Sequence, residues 1–239
     1  MGPYPYLTVL IPVYNEEKNI ASTVKIISDK LVSLNCTFEI LIVDDCSTDQ
    51  TLNIIKKLMV SNLAIRLYQH SKNRGPGTGI VTGITNSRGQ FIIFIPADLA
   101  MDIDCLSSFL EASKNADVIV GLRSDRRDYG LFRKLISITN ILTIKLLFAM
   151  PYEQFNYIGM YRRTLFQQIK LESQSVFVGA EIMIKARDLG LNISQIRVTY
   201  VPRRYGKARG SSFRSIKATL QDMFKIWIKW MYQTSTVKN

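Results

Sequence analysis

The chain has 239 residues, 47% of them hydrophobic, enough for one substantial domain with at most a small appendage. Its 31 Lys and Arg against 19 Asp and Glu leave a net charge of +12, which narrows the partners to nucleic acid, an anionic membrane or phosphorylated substrates. Cys36, Cys46 and Cys105 are scattered with no CxxC pair, which argues against a zinc site or a disulfide framework and for a reducing compartment.

The chain opens with MGPYPYLTVL, which has no charged leader region and no long apolar core, so no signal peptide is expected. Residues 7–14 (LTVLIPVY) predict a first strand. Residues 15–34 predict a helix with Glu16 and Glu17 in its first turn, where the helix dipole favours acids. Residues 38–43 (FEILIV) predict a second strand ending in Asp44 and Asp45; Ser47 or Thr48 then caps a helix running to Val60. A third strand over 64–70 leads into the glycine-rich turn KNRGPGTG (72–79) and a helix to about Ser87. The fourth strand, 90–95, carries the uncharged run FIIFI, which reads as buried. It ends at Pro96-Ala97-Asp98, and Asp102 or Asp104 caps a helix over 105–115. DVIVG (117–121) is a fifth strand.

After Gly121 the pattern shifts. Residues 124–130 are polar and charged and predict a mobile loop. LFRKLISITNILTIKLLFAM (131–150) is apolar at helical spacing, and Pro151 stops it. Short helices are expected over 161–169 and 179–189, the second closing at Gly190, with a strand over 193–201. Residues 203–214 form a basic loop. The terminal helix, 213–232, interleaves Phe224, Trp227, Ile228 and Met231 with Lys217, Lys225 and Lys229. This alternation gives an α/β fold, a mostly parallel sheet with helices on both faces. No stretch reaches about 18 uncharged apolar residues, so no spanning helix is expected.

In an open α/β sheet, ligands bind at the carboxyl ends of the strands. Here those ends carry IPVYNEE (11–17), VDDCSTD (43–49), the KNRGPGTG turn and PADL (96–99). Asn, Asp and Ser side chains there suit a base and ribose. Gly75 and Gly77 allow close backbone approach, and a helix N-terminus suits phosphate. An aspartate such as Asp98 at the end of a buried strand suits Mg2+ or Mn2+ against a diphosphate. Together these are the chemistry of a nucleoside-diphosphate site. His70 reads as structural, with nothing to pair with it. Glu181 stays open between a helix N-terminal charge and a site role.

The ordered set IPVYNEE, IVDDCSTDQT, NRGPGTG and PADL resembles a GT-A fold, family 2 glycosyltransferase. GLRS (121–124) and RYGKARGSSF (204–213) resemble the dolichyl-phosphate mannose synthase and polyprenyl-phosphate glycosyltransferase branch. The resemblance implies that Pro12, Tyr14 and Glu16 line the nucleobase and ribose. It implies that Asp44 binds base or ribose, with Asp45 and Ser47 beside it and Gly75, Gly77 and Ala97 along the donor. Asp98 matches the last acid of the D-x-D metal motif. Arg123 matches an arginine near the donor and acceptor phosphates, and Arg133 one opening a helix near the membrane. Arg209, Ser211 and Ser212 resemble the basic loop that closes over the phosphates, with Asp98, Arg123 and Arg209 as the catalytic set and Arg123, Arg133, Ser211 and Ser212 at the acceptor phosphate.

Three positions depart from that pattern. Pro96 replaces the first acid of D-x-D, and Ala100 stands where the branch often has a polar ligand. Asn156-Tyr157-Ile158-Gly159 stands where relatives often read S-G-F-R, so an arginine expected near the acceptor is missing. Either Asp98 alone holds Mg2+ or Mn2+ through the donor's diphosphate oxygens, or basic side chains carry the charge. The implied activity is inverting transfer of a hexose, mannose or glucose, from a GDP- or UDP-sugar to a polyprenyl or dolichyl phosphate. The alternatives are a glycan acceptor, or a non-catalytic nucleotide-sugar-binding subunit. The implied division is a catalytic domain over 1–215 and a C-terminal amphipathic helix over 216–239 whose Trp227 and Trp230 suit a membrane interface. The implied location is peripheral on the cytoplasmic face of a membrane, with room for an anchoring partner subunit. No nucleic-acid-reading motif is present, so nucleic acid is not an expected partner.

Overall fold

A computed structural model of the chain describes residues 4–124, 130–155, 158–203, 205 and 213–236. Arg209, Ser211 and Ser212, Asn156 and Tyr157, and most of the loop expected over 124–130 lie outside these residues. The element order is β1 (Leu7–Val13), α1 (Ile20–Ser33), β2 (Phe38–Asp44), α2 (Thr51–Ser61), β3 (Ile65–Gln69) and α3 (Pro76–Asn86). It continues through β4 (Phe91–Phe94), a 3-10 turn (Ile103–Cys105) running into α4 (Leu106–Ala112), β5 (Val118–Arg123) and α5 (Leu131–Phe148). The rest is β6 (Gly159–Arg162), α6 (Leu165–Gln168), α7 (Val178–Asp188), β7 (Ile193–Val198) and α8 (Phe213–Thr236).

The strands form one seven-stranded sheet in the order β3-β2-β1-β4-β6-β5-β7. All pairs are parallel except those of β6, which runs antiparallel to β4 and β5. Helices cover both faces, so the central strands are apolar on both sides. Alternation along each strand divides them between two cores. Val9, Ile11, Ile40 and Ile42 pack with Ile20, Val24, Ile27 and Leu31 of α1. Leu10, Leu41, Val43 and Ile92 pack on the other face with Phe148 of α5, Ile182 of α7 and Met223 of α8. The polar exceptions are paired: Thr8 donates to Glu39, which also accepts from the Arg88 amide and forms an ion pair with Arg66 at 2.7 Å.

Three expectations shift. The first helix begins at Ile20, not Asn15, because residues 15–19 form a turn in which the amides of Asn19 and Ile20 donate to the Glu16 carbonyl. Glu16 and Glu17 therefore precede the helix. The second helix begins at Thr51, and Ser47 and Thr48 bond Asn15 instead of capping it. The helix expected over 161–169 is instead β6 and the short α6. Four residues carry no readable period, and their pairing partners lie far away in sequence. Arg162 fixes that strand by an ion pair with Asp117 at 2.7 Å and by lying over the Phe91 ring.

The terminal helix is part of the second core. Met223 and Ile226 are buried, and Asp222 accepts from the Ser173 hydroxyl and the amides of Gln174 and Ser175. Trp230 donates to Asp188 and packs its ring on Phe148, and Trp227 also lies against this core. The 215/216 boundary thus falls inside α8. Among the described residues no helix is long and apolar enough to cross a membrane.

Candidate functional site

β1 lies between β2 and β4: the chain winds outward through β2 and β3, then returns to start β4 on the other side. This reversal is a topological switch point, where the strand ends diverge and leave a crevice. The turns that follow β1, β2 and β4 frame it. Each contains a non-glycine residue in the left-handed region: Asn15 (φ 55°), Cys46 (φ 64°) and Leu99 (φ 45°). For a leucine that conformation costs about 1 kcal/mol or more. Neighbouring bonds hold it, here the Leu99 amide donating to the Pro96 carbonyl.

The β1 and β2 turns clasp each other. The Asn15 amide donates to the Ser47 hydroxyl, and the Thr48 amide donates to the Asn15 side chain at 2.8 Å. The Glu16 amide donates to Thr51, the Glu17 amide to Asp49, and the Gln50 amide back to the Glu17 carboxylate. Burial pushes the Asp49 carboxyl up, but hydrogen bonds from Thr51 and the Glu17 amide outweigh it and hold the group below its ordinary value. Val13 pairs with Asp44 at the ends of β1 and β2, so Pro12, Tyr14 and Glu16 lie at the same sheet edge as Asp44 and Ser47.

The two adjacent aspartates differ. Asp44 is fully buried, and its carboxylate accepts from the Ser47 amide at 3.2 Å. Asp45 is spent on the chain itself. Its Oδ1 takes His70 Nδ1 at 2.7 Å and the Arg74 amide at 2.8 Å, and its Oδ2 takes the Gly75 amide at 2.8 Å. His70 Nε2 continues the chain to Thr82 at 2.9 Å, so His70 is structural and, contrary to expectation, fully paired. The glycine-rich turn is fastened by Asp45. A Cβ on Gly77 would stand 2.3 Å from the Ser175 carbonyl oxygen, so the close approach this glycine permits is to the chain's own backbone. Gly75, at φ 87°, makes the entry into α3.

Asp98 sits across the crevice, just past the end of β4. Ala97 before it points into the first core, and its carbonyl accepts from Thr23 of α1 at 2.6 Å. The segment after β7 crosses the strand ends to reach it. Thr199 accepts from the Asp102 amide, the Arg123 guanidinium lies 3.6 Å over the Tyr200 ring, and Arg203 forms an ion pair with Asp98 Oδ2 at 2.8 Å. The other oxygen, Asp98 Oδ1, is buried with no hydrogen-bond partner among the described residues. A cavity of about 250 Å³ adjoins it, lined by Asn19, Ser22, Thr23, Asp98, Asp102 and Val201 among others. Arg133 stands in the first turn of α5.

A divalent cation held by the protein finds few ligands here. Pro96 and Ala100 offer no side-chain oxygen, one of the two Asp98 oxygens is taken by Arg203, and no group of three acidic, His or Cys side chains among the described residues could hold a metal. The residues do not fit a metal cage of the chain's own making.

One further part of the site carries no local sequence signal. Residues 172–175 hang from two carboxylates and sit on Gly77. Glu181, fully buried, accepts from the amides of Glu172 and Ser173 and pairs with Lys185 at 2.7 Å. Asp222 of α8 takes the other side. Glu181 is thereby tied to a structural task. Arg203 opens the basic run, and no local feature sets it apart from the arginines that follow.

The model of glycosyl transferase family 2 matches residues 8–170. The chain belongs to glycosyl transferase family 2. It is 28% identical over 229 residues to the dodecaprenyl-phosphate galacturonate synthase of Rhizobium johnstonii, covering 91% of this chain and 66% of that protein. It is 27% identical over 219 residues to the undecaprenyl-phosphate 4-deoxy-4-formamido-L-arabinose transferase of Pseudomonas paraeruginosa, covering 90% and 63%. The chain thus spans just under two thirds of the length of these relatives. Among solved structures, the glucosyl-3-phosphoglycerate synthase of Mycobacterium tuberculosis, solved with Mn2+, UDP and phosphoglyceric acid, superposes with a TM-score of 0.71 at 15% identity, over 93% of this chain and 78% of that one. The fold is the GT-A arrangement of family 2, and the family match covers all four strand-end motifs that frame the crevice.

Proposed function

We propose that this family 2 chain is an inverting glycosyltransferase that moves a hexose, mannose or glucose, from a GDP- or UDP-sugar to a polyprenyl or dolichyl phosphate at a membrane surface. The carrying observation is the switch-point crevice, where Asp44 stands on one side of β1 and Asp98 on the other with arginines arriving from β5 and β7. Asp44 and the β1 turn suit the base and ribose. The Asp98 side suits the diphosphate, because it is where cationic groups gather. The relatives' names, a galacturonate synthase and a formamido-arabinose transferase on polyprenyl phosphates, support the acceptor class and widen the range of sugars worth testing.

The chemistry asks little of a base. A polyprenyl phosphate is already an anionic nucleophile, so the chain must align it in line with the anomeric carbon and stabilise the leaving nucleoside diphosphate. In-line attack inverts that carbon. Arg123, braced on Tyr200, presents a planar fork suited to phosphate oxygens, and Arg133 stands in the first turn of α5.

A lipid acceptor calls for an apolar approach, and α5 supplies one. Leu131, Leu135, Ile138, Leu142 and Leu146 recur at helical spacing and are all exposed, Leu131 at 89% and Leu146 at 84%. The neighbouring α8 exposes Phe224, Ile228, Met231 and Tyr232 while its tryptophans turn inward. Each of these exposed apolar sets suits the acyl–headgroup boundary.

Incubation with polyprenyl-phosphate vesicles and radiolabelled GDP-mannose, UDP-glucose or UDP-galacturonate is expected to give a labelled lipid. Absence of label from the lipid phase with every donor sinks this reading.

A further inference from the structure

Stability alone does not explain the Asp98–Arg203 pair. Where this chain buries a carboxylate for structure, it satisfies both oxygens: Asp45 bonds His70, Arg74 and Gly75, and Glu181 bonds Glu172, Ser173 and Lys185. That is the rule for buried acids, because an unpaired oxygen keeps its desolvation cost. Asp98 breaks the rule. Its side chain is only 9% exposed, yet Oδ1 has no partner among the described residues and Oδ2 has one, Arg203. Its position is also fixed at a cost, by the left-handed Leu99 beside it.

Arg203 is the less buried member, 28% exposed, and one nitrogen of its five-donor fork is spent on Asp98. It rides on the segment from β7 that also braces Arg123 through Tyr200 and is tied down by the Thr199 carbonyl. Two arginines thus reach the diphosphate side of the crevice on or against one short stretch of chain. Pro96 and Ala100 flank Asp98 with no side-chain oxygen to offer a cation.

We propose that Arg203 is the diphosphate-binding cation of this site, held ready by Asp98. The guanidinium bridges Asp98 and the leaving nucleoside diphosphate, supplying the positive charge for which the described residues form no metal cage. Asp98 then acts as a positioning residue that aims Arg203. The assignment rests on the donor-site reading above. It makes nucleotide binding independent of divalent metal and dependent on the fork at position 203.

Calorimetric titration with UDP and with GDP, first in EDTA and then with excess Mn2+, tests this. Wild type is expected to bind one of them in EDTA. Arg203→Ala is expected to lose about 10- to 100-fold in affinity there, the effect of one charged hydrogen-bonded contact. Arg203→Lys, which keeps the charge but not the fork, is expected to lose less. Mn2+ is expected to restore more binding to Arg203→Ala than it adds to wild type, because the variant leaves Asp98 unpaired. Wild-type binding that needs Mn2+, or binding in EDTA that Arg203→Ala leaves unchanged, would overturn the assignment alone. Failure of wild type to bind either nucleotide under both conditions would overturn the donor-site reading and this assignment with it.

Discussion

The strand-end turns of β1 and β2 and the 172–175 segment are both irregular backbone at the site, yet they are held in opposite ways. The β1 and β2 turns exchange many short bonds between two motifs, with Asn15, Glu16 and Glu17 on one side and Ser47 to Thr51 on the other. Loss of any one leaves the rest. The 172–175 segment depends on two carboxylates, Glu181 from α7 and Asp222 from α8, each holding several donors. A distributed clasp tolerates substitution, whereas a concentrated one fails at a single residue. The second arrangement also makes α8 a structural support of the glycine-rich turn, because the segment it holds rests on Gly77.

Three substitutions test that contrast. Glu181→Ala is expected to cost most, about 3–5 kcal/mol, because it removes a fully buried acceptor and leaves Lys185 and two amides without it. Urea denaturation measures this, and a loss below about 1 kcal/mol would contradict the concentrated-clasp account. Asp45→Ala is expected to cost about 2–3 kcal/mol, since His70 and the amides of Arg74 and Gly75 lose their acceptor. It is also expected to weaken nucleotide binding by loosening the turn before α3. Full stability with intact binding would show that the β2–α3 side does not depend on Asp45.

The smallest expected effect is a pH dependence. Burial raises the Asp222 carboxyl, but the hydrogen bonds from Ser175, Ser173 and the Gln174 amide outweigh it, leaving the group below its usual 3.8. A depressed carboxyl stabilises the fold above its unfolded value and loses that contribution as pH falls through the folded one. Asp222→Asn is therefore expected to lower Tm at neutral pH, with the gap from wild type narrowing below about pH 4. A gap that stays constant or widens on acidification would show that the Asp222 charge does not hold the segment.

The β-α alternation, the strand ends with their acidic and glycine-rich motifs, and Asp98 at the end of a buried run were legible because each is encoded within a few neighbouring residues. The FIIFI run had to be buried, and an acid after it had to meet the crevice. Illegible were the features made by contact between distant segments. β6 is four residues long and has no period of its own; only β4 and β5 on either side make it a strand. Asp44 and Asp45 are chemically identical neighbours, and only the approach of His70 and the β3–α3 turn commits Asp45 to structure. Trp227 and Trp230 had the composition of an interface anchor, but packing against α5 and α7 turned them inward.

Pro96 and Asp98 show where that division falls. The sequence by itself determined that a carboxylate ends the fourth strand and that its partner acid is missing, because both are matters of residue identity. The tertiary structure alone decided what stands beside that carboxylate. Arg203 is 105 residues further on, and the chain brings it back only because β7 lies parallel to β5 and the segment after it crosses the strand ends to Asp98. Charge pairing over such a separation is set by topology, which no local pattern records.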